Sequence, residues 1–205
     1  MYLPKHFAET DPLALHALMR AHPLATLVTH GADGLDANHI PLHLDASAGP
    51  NGTLRGHIAR ANPLAKTPPA SEILIIFQGP ESYISPAGYA TKAETGRVVP
   101  TWNYAAVHAY GNLRLIDDPS WLLARLNELT TAHEAGRAQP WAVSDAPADY
   151  IEKMLGAIVG IEIEISRLIG KWKVSQNQPP ANQASLIAAL DGSPMAELIR
   201  QQQQQ

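Results

Sequence analysis

Residues 160–170, GIEIEISRLIG, alternate without a break, with Ile161, Ile163 and Ile165 on one side and Glu162, Glu164 and Ser166 on the other. That period of two is the signature of a half-buried β-strand. A lone strand leaves its backbone donors and acceptors unpaired, and the rest of the chain supplies neighbours for it. Val107, Ala109, Gly111, Leu113 and Leu115 alternate with His108, Tyr110, Asn112, Arg114 and Ile116. Segments 25–30 and 35–44 flank GADG, a Gly/Asp turn signal that predicts a β-hairpin. Pro41 interrupts the second arm; lacking an N–H, it suits an edge or a bulge. TLRGHI at 53–58 and EILIIF at 72–77 are two further strands joined by the loop ARANPLAKTPPAS, the second apolar enough to be central.

Helical signals sit between these strands. Thr10 or Asp11 followed by Pro12 starts a helix whose apolar face carries Leu15, Leu18 and Met19 and which stops before Pro23. Asp118 and Pro119 open another, with Leu122, Leu123, Leu126 and Leu129 at helical spacing, and a shorter one is expected from about Pro147 to Leu155. The tail turns helical again, with Asn182 and Ser193-Pro194 as successive caps and QQQQQ at 201–205 as a solvated end. Six or so short strands in mostly sequential order, with helices at the start, middle and end, predict a mainly β chain with α decoration. The expected form is a small antiparallel barrel, not an alternating βαβ sheet. The 205 residues suit a barrel domain over 1–180 with a helical tail, 181–205, packed on it.

Several function classes drop out. A net charge of −4 and the lack of any long Lys/Arg block leave no strong direct nucleic-acid binding to expect. The absence of cysteine excludes a disulfide framework and thiolate chemistry. No apolar run approaches the ~20 residues of a membrane span, and MYLPKHFAETD has neither the basic nor the apolar region of a signal peptide, so a cytoplasmic protein with no membrane partner is expected. No GxGxxG follows a strand and no GxxxxGK[ST] is present, against dinucleotide and phosphate-loop folds. Nine histidines invite metal, and His39 and His43 share a strand face, but no HExxH and no carboxylate at ligand spacing accompanies them. No metal site is expected. Ser82 and Ser85 lie outside any GxSxG elbow.

Three polar clusters remain. VVPTWNYAAVHAYGNLR, 98–114, carries Trp102, Asn103 and Tyr104 at the head of a strand, approached through Pro100, which fixes its own φ and holds Val99 extended. RGHIARANP, 55–63, places Arg55, His57, Arg60 and Asn62 at a strand end, a grouping suited to an anion because an Arg fork matches phosphate oxygens. In GKWKVSQNQ, 170–178, an extended chain puts Lys171 and Lys173 on one side with Ser175 and Asn177, and Trp172 on the other. Two cations and two hydrogen-bonding groups then converge where a phosphate or a ring edge can sit. No general base stands out: Glu81 and Glu94 read as solvated loop residues, and no catalytic residue is assigned.

Taken together, MYLPKHF, HIPLHL, GHIARANP, YISP, VPTWNYAAVHAYG and GKWKVSQNQ, in this order over nearly the whole chain, resemble the PaiB-like family of FMN-binding negative transcriptional regulators. Several long motifs in register are far more specific than any one of them. The resemblance implies an antiparallel split β-barrel of the flavin reductase and pyridoxamine phosphate oxidase type, dimeric, with FMN bound non-covalently near the subunit interface. Carried over position by position, it implies that His39, Ile40 and Pro41, with His57, Arg60 and Asn62, surround the phosphate side of the flavin. It implies also that Trp102 and Asn103 approach the ring, and that Lys171, Lys173, Gln176 and Asn177 close the site. The chemistry matches in kind, since a phosphate dianion takes Arg, Lys and His donors and a flat isoalloxazine takes an aromatic wall and amide groups. The chain departs from the family at Ala87, Gly88 and Tyr89, where an aromatic pair usually follows YISP, and at Leu64-Ala65, where a Gln-aromatic pair is common. One wall of the implied pocket is therefore expected to be more open.

Three functions fit: a flavin-binding regulator, a flavin-dependent oxidoreductase, and a haem-binding or haem-degrading protein with His108 or His57 as axial ligand. Fold analogy does not choose between them. A homodimer is expected in addition, because strands this short do not enclose a flavin within one barrel and a two-fold interface supplies the missing wall.

Overall fold

The computed structural model describes residues 1–203 and joins the alternating segments into an eight-stranded sheet. A 3-10 turn (Lys5–Phe7) leads into β1 (Ala8–Glu9) and α1 (Pro12–Ala21). The hairpin β2 (Leu24–Gly31) and β3 (Gly34–Pro41) follows, then β4 (His43–Asp45), β5 (Thr53–Ala59), the single-turn α2 (Pro63–Lys66) and β6 (Ile73–Ile84). A second 3-10 turn (Pro86–Gly88) and α3 (Lys92–Thr95) precede β7 (Thr101–Ile116). Then come α4 (Pro119–Glu134), α5 (Ala148–Gly156), β8 (Ile158–Lys173), α6 (Pro180–Ala189) and α7 (Pro194–Gln202). The strand order is β3-β2-β6-β7-β8-β5-β4, with β1 paired to β8.

Contacts divide the chain into two compact units. One comprises Pro23–Ile76 and Ala109–Leu168. In it the hairpin turns on Ala32 and Asp33, with Gly31 opposite Gly34, and Pro41 ends the edge strand, where no ladder N–H is missed. β3, at one end of the strand order, also lies against β5, near the other end, so the sheet curls on itself. β5 and β8 pair antiparallel with Arg55 opposite Glu162 and His57 opposite Gly160. Leu27, Leu54, Ile75, Ile161 and Ile163 fill the interior, as alternation requires. Asp118 caps α4 by accepting from the N–H groups of Ser120 and Trp121, the cap that the Asp-Pro start predicts.

The other unit comprises Met1–His22, Phe77–His108 and the residues from Ile169 on. Asp11 caps α1, which buries Leu15, Leu18 and Met19. β1 and α1 press on the end of β8: a Cβ on Gly170 would lie 2.2 Å from Leu15 Cδ2 and 2.8 Å from the Glu9 carbonyl, so only glycine admits this approach. The tail buries Leu186, Met195 and Ile199. Ser193 caps α7 as expected, but Asn182 does not cap α6: it sits inside that helix, 2% exposed, and its Oδ1 accepts from the N–H and hydroxyl of Thr91. A buried long-range acceptor role replaces the local one. Of the terminal glutamines, Gln201 and Gln202 end α7, while residues 204–205 lie outside the described residues.

Three strands are longer than their alternation suggested. β7 and β8 each run 16 residues, and β6 passes through Gly79 and Pro80 to Ile84. The β2–β6 ladder ends at Ile76, so the N–H that Pro80 lacks has no partner to disappoint on that side. Among the described residues no helix is long and apolar enough to cross a membrane.

Candidate functional site

The start of β7 and the end of β8 bring together the aromatic and cationic clusters of the sequence within one unit. Pairing of Ala8 with Lys171 lays the N-terminal segment along β8, and the Lys171 ammonium donates to the Tyr2 carbonyl at 3.1 Å. It lies 5.2 Å from the centre of the Tyr104 ring and 5.7 Å from that of Tyr2, within cation–π range. Lys171 is only 7% exposed, and no carboxylate pairs with it among the described residues. One of the three donors of the ammonium is spent on the Tyr2 carbonyl. Lys173, half-buried, spends two of its own on the Thr101 hydroxyl and the Trp102 carbonyl. Trp102 stands 55% exposed and meets Tyr83 edge-on, with ring centres 5.9 Å apart.

Asn103, which the resemblance brings to the flavin ring, points away from Trp102 as alternation demands. It is 1% exposed, and its Nδ2 donates to Ser175 Oγ at 2.8 Å. Gln176 is also turned inward on its own loop: its Oε1 accepts from Val174 N–H at 2.8 Å and its Nε2 donates to the Trp172 carbonyl at 2.6 Å. Asn177 is exposed on the same turn.

The remaining candidates belong to the other unit, where Arg60, Asn62 and Ile40 are engaged by the fold. Arg60 donates to both Asp117 oxygens, at 2.8 and 2.6 Å, and to the carbonyls of Gly156 and Ile158. Asn62 caps α2 through Leu64 N–H and donates to Asn38 Oδ1 at 2.7 Å. Ile40 is in the core, His39 is exposed with its Nδ1 3.2 Å from the Thr26 hydroxyl, and Pro41 and His57 line a cleft of about 20 Å³. Arg55 is tied to Asp45 at 2.5 Å and Glu162 at 2.9 Å. The basic stretch that looked free for an anion in sequence is thus largely neutralised.

Electrostatics follow from these contacts. Burial pushes the Glu162 carboxyl up, but hydrogen bonds from Arg55 and Arg114 outweigh it and leave its pKa below the usual range. The Ser47 hydroxyl, with Arg55, holds Asp45 at about 2. Burial lowers His57, and burial together with the Met1 ammonium lowers His108, so both favour the neutral imidazole. His108 Nδ1 is buried without a hydrogen-bond partner among the described residues. Among the described residues no group of three or more His, Cys, Asp or Glu is placed to hold a metal ion.

Tyr2 and Tyr83 complete the cluster and had no assigned role in sequence, whereas Ser175, expected beside the lysines, is turned inward to Asn103. Tyr104, two residues from Trp102 on an alternating strand, was the legible one; Tyr2 is placed only by the β1–β8 pairing. The departure at Ala87 and Gly88 lines an apolar groove of about 320 Å³ with Tyr83 and Leu186. A larger groove of about 580 Å³, lined by Asn112, Arg114, Glu164 and Ser166, lies in the other unit and contains none of the sequence candidates.

Comparison with known proteins follows the same direction. A family model described as "Putative FMN-binding domain" matches residues 1–167. An uncharacterized protein of Emericella nidulans is 36% identical, over 98% of this chain and 97% of its own. The protease synthase and sporulation protein PAI 2 of Bacillus subtilis is 30% identical over 97% of this chain and 96% of its own. Among solved structures, a flavocytochrome from Azotobacter vinelandii superposes with a TM-score of 0.57 at 17% identity, covering 83% of this chain and 72% of that one. An FAD and heme binding protein from Mycobacterium smegmatis gives 0.59 at 16% identity, covering 88% and 79%. These low identities speak to fold alone, and the fold is the antiparallel split β-barrel that the resemblance implied.

Proposed function

The chain belongs to the FMN-binding domain family, with FMN as its cofactor, and on that premise we propose that it is a homodimeric PaiB-like regulator whose FMN phosphate is held by Lys171 and Lys173. In this reading residues 1–180 are the flavin domain and the segment that follows is a helical tail on it. Trp102 and Tyr83 supply the aromatic wall for the ring. The single observation that carries this is Lys171, a buried ammonium with no carboxylate partner among the described residues. Burying a charge is costly unless it is paired, and a phosphate is a complement of the right sign. Bound FMN supplies a reversible two-electron centre, while the residues here hold its phosphate, cover its ring and exclude water.

A regulatory role is supported by the motif resemblance and by 30% identity to the Bacillus subtilis protein over 97% of this chain. With a net charge of −4 it acts without tight DNA binding of its own. The dimer is supported by the motif resemblance, which implies a flavin bound near a subunit interface. Titration of purified protein with FMN at micromolar concentration should shift the flavin absorbance and quench its emission, and sedimentation of the complex should give a dimer. Unchanged spectra, or a monomer with FMN bound, sink the corresponding half of the proposal. Consumption of reduced nicotinamide by the complex favours the oxidoreductase reading. The haem reading draws on the buried His108 Nδ1, and an unshifted haemin spectrum rejects it.

A further inference from the structure

After β8 the chain turns back through Ser175 at φ 65°, the one non-glycine residue with positive φ among the described residues. A side chain in that region is disfavoured and persists only where the surroundings hold it. Three contacts do so. Asn103 Nδ2 donates to Ser175 Oγ at 2.8 Å, Gln178 N–H donates to the Ser175 carbonyl at 2.9 Å, and the Gln176 amide brackets Val174 and Trp172. Two residues before the turn, Lys173 donates to Thr101 and to the Trp102 carbonyl. Residues 101–103 and 173–175 are therefore laced at adjacent positions, with Trp102 exposed, Lys173 half-buried and Asn103 and Ser175 buried. Asn103 and Ser175 are 1% and 2% exposed, so neither side chain is available to a ligand lying on Trp102.

From this geometry we infer that Asn103 is a positioning residue: it tethers the strained Ser175 turn and so fixes the end of β8 that presents Lys171 and Lys173 to the phosphate. The inference rests on the proposed FMN site and deepens it. Without the tether Ser175 relaxes toward ordinary φ, the end of β8 loosens, and the lysines lose their fixed position while Trp102, carried by β7, stays in place. The loss is then selective for the phosphate.

The test compares FMN and riboflavin binding, by fluorescence titration of the full chain, in wild type, Asn103→Ala, Ser175→Ala, Ser175→Gly and the Asn103→Ala/Ser175→Ala and Asn103→Ala/Ser175→Gly doubles. Asn103→Ala and Ser175→Ala should each weaken FMN by about tenfold, the order of one well-placed charge-assisted hydrogen bond, with riboflavin little changed. The alanine double should be no worse than either single, because both remove the same bond. Glycine at 175 adopts the positive φ unaided, so the glycine double should regain most of the FMN affinity. Equal loss for both flavins in Asn103→Ala would make Asn103 a ring contact and overturn the inference, as would no loss for either. If Asn103→Ala does not fold, the same reading is taken from Ser175→Ala against Ser175→Gly. Failure of wild type to bind FMN strikes the proposed function instead; faster amide exchange at Val174 and Gln176 in ligand-free Asn103→Ala still reports the tether, and unchanged exchange removes it.

Discussion

The Lys171 ammonium sits 3.1 Å from the Tyr2 carbonyl and has no acidic partner among the described residues, whereas Lys173 spends two donors on Thr101 and Trp102. The two lysines are adjacent on one strand face but unequal. Charge-assisted hydrogen bonds are each worth about 1.5–3 kcal/mol. Replacing both lysines by Ala should therefore weaken FMN at least about tenfold more than riboflavin, and Lys171→Ala should carry the larger share. Fluorescence titration of both flavins checks this, and equal losses would move the phosphate site to another cluster.

Trp102 should behave oppositely. Its ring, edge-on to Tyr83 at 5.9 Å, touches no phosphate in the proposed site, so Trp102→Ala should weaken FMN and riboflavin alike, by about 0.5–1.5 kcal/mol. Bound flavin should also become more fluorescent as its quencher is removed. A phosphate-selective loss would place the ring elsewhere.

Arg55, Asp45, Glu162 and Arg114 form a half-buried ion network. The folded pKa of both acids lies below the ordinary value, so their stabilisation is fully present above the unfolded pKa, about 4.5 for Glu162 and 3.8 for Asp45. It is lost as pH falls through the folded values, about 2 for Asp45. Glu162→Gln should lower stability at neutral pH by about 1–3 kcal/mol and flatten the acid limb of a urea-denaturation series below pH 4.5.

His57 and His108 add a limb at milder pH. Their folded pKa lies below 6.5, so the unfolded chain binds protons first and stability should decline as pH drops below that value. Proton titration by NMR should show both imidazoles neutral at pH 7; a midpoint above 6.5 for either would contradict their burial.

Gly111 tests the packing of β7 on β8. A Cβ there would lie 2.3 Å from the Glu164 carbonyl and 2.8 Å from Ile163 Cγ2, and backbone gives way far less easily than a side chain. Gly111→Ala should cost about 1–3 kcal/mol, seen as a lower urea midpoint with an unchanged slope.

Strand identity and helix starts could be read from short windows because they are short-range properties. Ile161, Ile163 and Ile165 point inward because side chains on a strand alternate, and Asp11, Asp118 and Ser193 cap helices because each reaches an N–H two or three residues on. The same local rule put Lys171 and Lys173 on one face, and the motif order across the chain was enough for family, fold and cofactor. Strand length was not local: β6 continues through Pro80 because its neighbour's ladder has already stopped. Nor was the fate of the polar groups. Arg55, Arg60 and Asn62 are three donors near one strand end in sequence, and register and packing set them against Glu162, Asp117 and Asn38. Lys171 gained its cover from Tyr2, 169 residues away. A side chain's type fixes what it can bind, but whether it is free to bind depends on which opposite charge the fold brings within a few ångströms, and chain neighbours alone do not set that distance.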